Sequence, residues 1–444
     1  MILSFSMPDT SLYPREKRTL VINVVTFGCA KNIVDSEKIM GSLPSRKFKI
    51  VHNSDQQADI VIINTCGFIN DAKQESVDAI LEFAEEKKIR NTKVFVTGCL
   101  AQRYKSELLA EIPGLDGVFG LNETNSLLRE ITNNETKHSD NRILTTPKHY
   151  AWLKISEGCD RSCSFCAIPM IRGANVSYPI KKILDEAAML ADKGVKELMV
   201  IAQDTTYYGL DIYKKRKLAL LLEKLSDIKQ FEWIRLHYAF PAGFPEDVLE
   251  LMQGRDNICK YLDIPLQHID DKILSSMRRG IDKKGTVALV EKFRNKVPGI
   301  ALRTAFIVGY PGETRAQFDE LYNFVREQQF ERMGVFTYSK EEGTVAGAIK
   351  QQTGAKEKQR RFEQLMELQQ QIVASKNQAL VGKTMKVIID RKENEFYVGR
   401  TEFDSPEIDN EVLIPAKDNQ LKPGNFYDVR ITGADVYDLY AEVK

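Results

Sequence analysis

The 444-residue sequence is poor in cysteine, in unbroken apolar runs and in excess charge, and each shortage excludes a class of protein. Seven cysteines are too few for the disulfide framework of a small secreted domain. No stretch approaches the roughly 18 consecutive apolar residues of a membrane-spanning helix. A formal net charge of +1 gives the chain no basic excess for nucleic-acid binding. Because no secretory signal pattern is present at the N-terminus, we expect a cytoplasmic protein.

Three widespread catalytic signatures are missing as well. The sequence has no Walker-type phosphate loop, no HExxH zinc motif and no GxSxG nucleophile elbow. The motifs therefore give no support for a P-loop nucleotide hydrolase, a zincin or an α/β-hydrolase. The feature that does indicate chemistry is the placing of the cysteines.

Six of the seven cysteines form two sets of three, one compact with CxxxCxxC spacing and one dispersed. The compact set is Cys159, Cys163 and Cys166, and the dispersed set is Cys29, Cys66 and Cys99. A cubane iron–sulfur cluster takes four thiolates. Three thiolates leave one iron open, and an open metal position is where substrate chemistry occurs. The spacing also indicates metal ligation in a reducing compartment.

The chain alternates strand-like and helical patterns, which predicts an α/β protein with parallel sheets. The chain begins with a leader (1–18). A first domain (19–132) follows, with predicted strands at 20–26, 59–64 and 93–97. After a linker (133–149), residues 150–354 carry six strand-like runs, at 152–156, 197–203, 233–238, 261–266, 301–308 and 333–339. Six βα units are fewer than the eight of a closed barrel, so we expect an open, partial barrel. A helix (355–379) and five short strands within 380–444 complete the chain and predict a small barrel.

The position of each cysteine set favours a functional metal site, although a structural role is an alternative for each. Each dispersed cysteine directly follows a predicted strand, and ligands gather at the carboxyl edge of parallel strands. Three buried structural thiols are the alternative. The compact loop follows the first barrel strand, where βα-barrel sites lie. Its alternative is a zinc knuckle or a structural cluster with a distant fourth ligand, for which Cys259 is the candidate.

Several segments carry a family resemblance. The compact loop, with Phe165 before its third cysteine, resembles the radical S-adenosylmethionine (SAM) superfamily. Residues 27–32 (FGCAKN), 64–69 (NTCGFI) and 97–103 (TGCLAQR) resemble the amino-terminal domain of the methylthiotransferases, and the tail resembles their TRAM domain. The resemblance covers about residues 20–444. It implies a Rossmann-like first domain, a partial (β/α)6 radical-SAM barrel and an OB-like TRAM barrel.

The resemblance also implies the cofactors and the residues that hold them. Each cysteine set would ligate one [4Fe–4S] cluster, and no catalytic side chain is expected beyond these six ligands. Phe165, Gln203, Arg303 and Gly309 would contact SAM. One SAM would methylate a sulfur held at the dispersed set, and a second would generate the radical that activates the acceptor carbon. An electron donor and a sulfur donor, both of unknown identity, would be needed.

The acceptor is suggested by further segments. Residues 146–161, 166–173 and 263–268 are similar to the methylthiotransferases that modify the β-carbon of an aspartate in small-subunit ribosomal protein S-twelve. From residue 380 to 444 there are 9 Lys and Arg against 13 Asp and Glu, a net charge of −4. An acidic tail would repel tRNA and attract a basic protein. The alternative is that side chains such as Glu402, Asp404, Glu407 and Asp409 form only a solvated face. We expect no membrane partner. The alternatives are methylthiolation of a tRNA adenosine and a non-catalytic iron–sulfur or ribosome-binding protein.

Overall fold

The computed structural model describes residues 18–133, 141–417 and 419–444. The expected leader lies outside these residues except for Arg18, and so does most of the first half of the expected linker. Within the described ranges, no helix has both the length and the apolar character needed to span a bilayer.

The amino-terminal part forms a parallel sheet of five strands with helices on its faces. Its elements are β1 (Leu20–Thr26), α1 (Ala30–Ser42), β2 (Phe48–His52), β3 (Ile60–Thr65), α2 (Asn70–Ile89), β4 (Lys93–Gly98), α3 (Cys99–Glu111), β5 (Gly117–Val118) and α4 (Thr124–Thr132). The strand order is β2-β1-β3-β4-β5, which places the three predicted strands side by side in the centre. The sequence patterns missed β2 and β5, because edge strands this short or half exposed lack a continuous apolar run.

The middle part is an open sheet of six parallel strands, so the prediction of a partial barrel is confirmed. Its elements are β6 (Tyr150–Lys154), β7 (Ser156–Glu157), α5 (Ile168–Arg172), β8 (Val176–Ser177), α6 (Ile180–Asp192), β9 (Glu197–Ile201), α7 (Leu210–Tyr213), α8 (Leu218–Ser226), β10 (Trp233–Leu236), α9 (Asp247–Gly254), β11 (Ile258–Asp263), α10 (Asp271–Ser276), α11 (Lys283–Lys296), β12 (Ala301–Val308), α12 (Arg315–Gln328) and β13 (Arg332–Thr337). The order is β13-β12-β11-β10-β9-β6. The fourth strand, β11, begins three residues before its predicted start.

Helix α1 is buried on two faces because it lies between its own sheet and the barrel. Ile39 and Met40 pack with the core under the first sheet. Ala30 and Val34 pack instead with barrel residues such as Trp152. Along β6 the side chains alternate: Ala151 and Leu153 join the core beneath the helices, whereas Tyr150 and Trp152 meet α1. Helix α1 therefore covers part of the barrel interior.

The carboxy-terminal part is a long helix followed by a closed five-stranded barrel, as predicted. The elements are α13 (Ala355–Gln378), β14 (Thr384–Glu393), β15 (Phe396–Thr401), β16 (Glu411–Pro415), β17 (Phe426–Ala434) and β18 (Asp438–Val443). The strand order is β14-β15-β16-β18-β17. Ile388 and Phe426 pack against Trp233 and Tyr261, so the small barrel closes the end of the large barrel near the starts of its strands.

The acidic side chains between β15 and β16 contact the large barrel. Asp404 pairs with Arg332, and the pair is almost fully buried. Asp409 lies 3.3 Å from Arg303 and accepts a 2.8 Å hydrogen bond from the Tyr261 hydroxyl. Glu402 and Glu407 also accept hydrogen bonds from the large barrel, from the Lys260 amide and the Tyr150 hydroxyl respectively. These four carboxylates all bind residues of the large barrel, so the interpretation that they form only a solvated face is wrong.

The contact between the two barrels is held by Arg400, whose side chain is 1% exposed. It donates to Glu197 of β9 at 2.7 Å and to Asp390 of β14 at 2.6 Å. Removal of one partner from a buried ion pair leaves an uncompensated charge. We expect Arg400→Met to lower the free energy of unfolding by about 3–5 kcal/mol, measured by urea denaturation.

Arg391 of β14 provides the matched control. It also pairs with two carboxylates, Glu393 at 2.7 Å and Glu411 at 2.8 Å, but its side chain is 47% exposed. Exposed pairs contribute about 0–1 kcal/mol because water screens them. Equal losses of stability for Arg391→Met and Arg400→Met would show that burial does not set the strength of this contact.

Candidate functional site

The three dispersed cysteines lie at one edge of the first sheet. Cys29 precedes α1 after β1, Cys66 directly follows β3, and Cys99 begins α3 directly after β4. Because β1, β3 and β4 are adjacent parallel strands, their carboxyl ends meet. Cys66 and Cys99 are 8% and 5% exposed. The structure therefore brings the three thiols to one place, as the pattern of strands predicts.

Glycines make room around these thiols. A Cβ atom on Gly28 would lie 2.8 Å from the Cys66 Cβ and 3.0 Å from its Sγ. A Cβ on Gly67 would lie 2.8 Å from the backbone of Leu100, at the start of α3. Gly28 also has a φ of +92°, which other residues rarely adopt. Glycine is required here so that three chain segments can approach each other closely.

Gly98, just before Cys99, allows the sharpest test of this packing. A Cβ there would lie 2.4 Å from the Asn64 Oδ1 and 2.5 Å from the Thr65 carbonyl oxygen, and its φ is +98°. We expect Gly98→Ala to lower the free energy of unfolding by about 3 kcal/mol or more, the sum of backbone strain and overpacking. Gly194→Ala is the control, since its φ is +92° and nothing lies within 4 Å. It should cost about 1–2 kcal/mol, and a Gly98 variant no worse than this would contradict the steric argument.

The compact cysteines lie on the loop between β7 and α5. The Arg161 amide donates to the Cys159 Sγ at 3.4 Å, and the Arg279 guanidinium donates to the Cys163 Sγ at 3.3 Å. The amide of Ser164 donates to the Met277 carbonyl at 3.1 Å, which ties the loop to the residue after α10. The loop is therefore fixed in place, and a cation already faces one of its sulfurs.

Burial raises the pKa of four of these thiols. It raises the pKa of Cys99 and Cys166 to about 12, and that of Cys159 to about 11. It also raises the pKa of Cys66. Arg172 opposes the effect at Cys99, and Arg279 opposes it at Cys166. Since metals and clusters bind thiolates, loading of either set has to release protons.

Arg172 connects the surroundings of the dispersed set with Glu157, which precedes the compact loop. Its guanidinium donates to the Asn32 Oδ1 at 2.6 Å, to Asp35 at 3.1 Å and to Glu157 at 2.8 Å. The same Asn32 oxygen lies 3.7 Å from the Cys99 Sγ. Asn32 and Asp35 belong to α1, and Arg172 ends the helix that follows the compact loop. A single polar network thus joins the dispersed set to the mouth of the barrel.

The network continues on the barrel side. Lys154 pairs with Asp35 and with Glu157, the latter at 2.6 Å. Burial alone would raise the pKa of Glu157, but Lys154 and Arg172 overcome it and lower the pKa to about 2. Glu157 also accepts a 2.9 Å hydrogen bond from the Gln203 side-chain amide. The anion at Glu157 therefore orients Gln203.

Of the predicted SAM-binding residues, Phe165 belongs to the compact loop and Gln203 contacts Glu157 just before it. The contacts of all four residues with SAM stay predictions. Phe165 packs with Tyr310, which follows Gly309 at the end of β12. The buried Gln203 Oε1 has no hydrogen-bond partner among the described residues, so it is free to accept one from a ligand. Arg303, in contrast, lies 3.4 Å from Asp263 and 3.3 Å from Asp409. Those two carboxylates compete with the predicted contact to a cofactor carboxylate.

Cys259, the candidate for a distant fourth ligand, and His237, directly after β10, are both buried. Cys259 lies near the start of β11, is 1% exposed and packs beside Trp233. It is at the opposite end of the strands from the compact loop. His237 lies 3.6 Å from Asp263, and burial lowers the pKa of its imidazole.

Lys31, on α1 between Cys29 and Asn32, was missed by the sequence analysis. It is 7% exposed, and its Nζ lies 2.9 Å from the centroid of the Tyr238 ring. Burial lowers the pKa of Lys31 to about 8, against the opposing charges of Cys29 and Asp263. The only sequence signal was a lysine directly beside a predicted ligand.

The donor sets fit iron–sulfur clusters, whose protein ligands are thiolates. Among the described residues, no three His, Cys, Asp or Glu side chains close around one point as they would around one ion. A cubane holds its thiolates at separate corners, farther apart than the ligands of one ion. Such a cluster matches three features of the site. Each set has three thiols, Gly28 and Gly67 leave space beside the dispersed set, and a cation lies near two of the sulfurs.

In the comparisons with known proteins, three separate segments of the chain match three family models. Residues 21–120 match the Uncharacterized protein family UPF0004, residues 153–325 match the Radical SAM superfamily and residues 381–443 match the TRAM domain. The solved structure of the radical SAM methyltransferase TsrM from Kitasatospora setae is similar in fold, with a TM-score of 0.54 at 13% identity over 74% of each chain. The radical enzyme OxsB has a TM-score of 0.50 at 12% identity, over 79% of this chain and 56% of that one.

Curated relatives match over almost the whole length. The Ribosomal protein uS12 methylthiotransferase RimO of Phocaeicola vulgatus is 52% identical over 428 residues, 95% of this chain and 99% of that protein. The proteins of the same name from Christiangramia forsetii and Flavobacterium johnsoniae are each 54% identical over 95% of this chain, and the matches cover 94% and 97% of those proteins. The chain therefore belongs to the RimO family of ribosomal protein uS12 methylthiotransferases, within the radical SAM superfamily.

Proposed function

We propose that this chain is a radical SAM enzyme that transfers a methylthio group to the β-carbon of an aspartate in ribosomal protein uS12. The observation that carries the proposal is the 52–54% identity with RimO proteins over 95% of the chain. The geometry supports the same chemistry, because one polar network runs from Cys99 of the dispersed set to Glu157, two residues before the compact set begins. We also propose that the enzyme works in the cytoplasm, where its ribosomal acceptor is made.

We assign one [4Fe–4S] cluster to each cysteine set, with one iron of each left open. The ligands are Cys159, Cys163 and Cys166 for the first cluster, and Cys29, Cys66 and Cys99 for the second. When held beside the first cluster, SAM would supply, on reductive cleavage, a radical able to remove hydrogen from an unactivated carbon. Phe165, Gln203 and Gly309 are the residues that we expect to hold SAM. Arg303 could join them only by giving up one of its carboxylate partners.

The chain's own residues would fix the distance between the two sites and keep water out. Arg172 and Lys154 bind Asp35 of α1 and Glu157 of the barrel at once. Helix α1 covers the barrel interior on one side. The small barrel closes the interior near the starts of the strands. A reactive radical would then meet only the acceptor that enters between the sites.

The proposal is tested with the anaerobically reconstituted protein, SAM, a chemical reductant, sulfide and purified uS12. Iron analysis should find two four-iron clusters in each chain, and mass spectrometry should find one added methylthio group on an aspartate of uS12. Sulfide and the reductant stand in for the sulfur donor and the electron donor. A methylthio group on tRNA instead would favour the tRNA alternative. If SAM is not cleaved under these conditions, the chain is not a radical SAM enzyme.

A further inference from the structure

Lys31 presents a buried cation to the barrel. It lies on the side of α1 that faces the barrel, where its Nζ is 2.9 Å from the centroid of the Tyr238 ring. The residue is 7% exposed. Within the part of the chain that the structure describes, its ammonium group has no carboxylate at ion-pair distance and no hydrogen-bond acceptor. Among the described residues, the Tyr238 ring is the one group that stabilises the ammonium charge at close range.

The neighbouring cations differ from Lys31 in this respect. Arg172 and Lys154 each pair with two carboxylates, Asp35 and Glu157. Arg303 also has two carboxylate partners. Burial of a charge without a partner is unfavourable. An unpaired buried ammonium beside paired ones therefore indicates a place for an anion that the folded chain does not itself supply.

Tyr238 is held in an unfavourable backbone conformation beneath Lys31. It follows β10 with a φ of +57°, which a non-glycine residue rarely adopts. Its amide donates to Asp263 at 3.2 Å, and its carbonyl accepts from the Thr205 amide at 3.1 Å. Such strain persists where the surroundings enforce it, and it is common at ligand sites. Here it places the aromatic ring under the ammonium group.

The position of Lys31 is also central. Cys29 lies two residues earlier, and the next residue, Asn32, contacts both Cys99 and Arg172. On the barrel side, Tyr238 and Asp263 lie at the ends of β10 and β11. In parallel barrels this end of the strands carries the site. An anion held by Lys31 would therefore lie within the mouth of the barrel and beside the dispersed set.

We propose that Lys31 binds the side-chain carboxylate of the acceptor aspartate, and so selects aspartate over neutral residues and directs its β-carbon toward the cysteine sets. This inference rests on the proposed function, which makes an aspartate the acceptor. A charge-assisted contact from lysine to carboxylate is strong in a water-poor site. The carboxylate is bonded directly to the reacting carbon, so its position fixes that carbon. Asparagine has the same shape but no charge for Lys31 to pair with.

The test compares the reconstituted wild-type enzyme with Lys31→Met and Lys31→Arg. Two probes are used: fluorescently labelled uS12, and the same protein with asparagine at the modified position. Equilibrium binding to each is measured by anisotropy, and 5′-deoxyadenosine formation without uS12 is measured in parallel. Lys182→Met is the matched control, since its Nζ also lies over a tyrosine ring, that of Tyr178 at 5.6 Å, but on the exposed surface of α6.

The wild type and the Lys182 variant should bind the aspartate form about 10- to 100-fold more tightly than the asparagine form. Lys31→Met should bring this ratio close to one, and Lys31→Arg should keep most of the ratio. An unchanged ratio in Lys31→Met would overturn the inference, as would a parallel loss of SAM cleavage, which would assign Lys31 to the cofactor. Failure of the wild type to modify uS12 would instead overturn the proposed function.

Discussion

Replacement of Cys163 by alanine is expected to abolish reductive cleavage of SAM. The Cys163 Sγ is the sulfur that accepts a hydrogen bond from the Arg279 guanidinium, within a loop whose neighbours are fixed by backbone hydrogen bonds. Loss of one of three thiolates leaves the cluster without a stable protein site. Removal of an essential active-site group typically costs about 10⁴-fold or more. We therefore expect 5′-deoxyadenosine and methionine to fall to background, measured by chromatography after incubation with SAM and reductant.

Cys259→Ala is the control for this variant. Cys259 is also buried, but it packs beside Trp233 near the starts of the barrel strands, away from both cysteine sets. Its replacement should lower the free energy of unfolding by about 1 kcal/mol as a small cavity forms, and should leave SAM cleavage and methylthio transfer in place. If Cys163→Ala still cleaved SAM at the rate of Cys259→Ala, the compact loop would not hold the catalytic cluster.

The sequence was sufficient to predict the features that depend on local pattern. Continuous apolar runs such as that of β3 mark buried parallel strands, and the strand ends then place Cys66 and Cys99 at one edge. Spacing alone places the compact cysteines on one loop. The tail barrel followed in the same way from short strands separated by glycine and proline.

Long-range pairing was not predictable from these patterns. Arg172 and Asp35 are 137 positions apart, and their contact depends on how α1 docks onto the barrel. Lys31 gave no signal of its own, because burial of a lysine depends on the partner surface. The acidic tail also shows that composition does not reveal which charges are paired. Residues 380–444 have a net charge of −4. Two of their carboxylates, Asp404 and Asp409, are nevertheless paired with arginines of the large barrel.

Cys66→Ala is expected to separate the two halves of the reaction. Cys66 directly follows β3 and lies against Gly28. Its amide donates a hydrogen bond to the Ser76 Oγ at 3.0 Å. Among the described residues, it makes no hydrogen bond to the compact loop. Without this thiolate we expect the second cluster, and with it about half of the iron, to be lost. SAM cleavage should stay within a few-fold of the wild-type rate, while methylthio transfer to uS12 should fall to background, by about 10⁴-fold or more.

The two measurements on Cys66→Ala have to be made on the same preparation. Iron content and 5′-deoxyadenosine report the compact set, and the mass of uS12 reports the transfer. Cys259→Ala again serves as the control, since it too removes a buried thiol. Equal loss of SAM cleavage in Cys66→Ala and Cys163→Ala would mean that the sets act as one unit. In that case the network through Arg172 and Asn32 would couple the chemistry of the two sites as well as their positions.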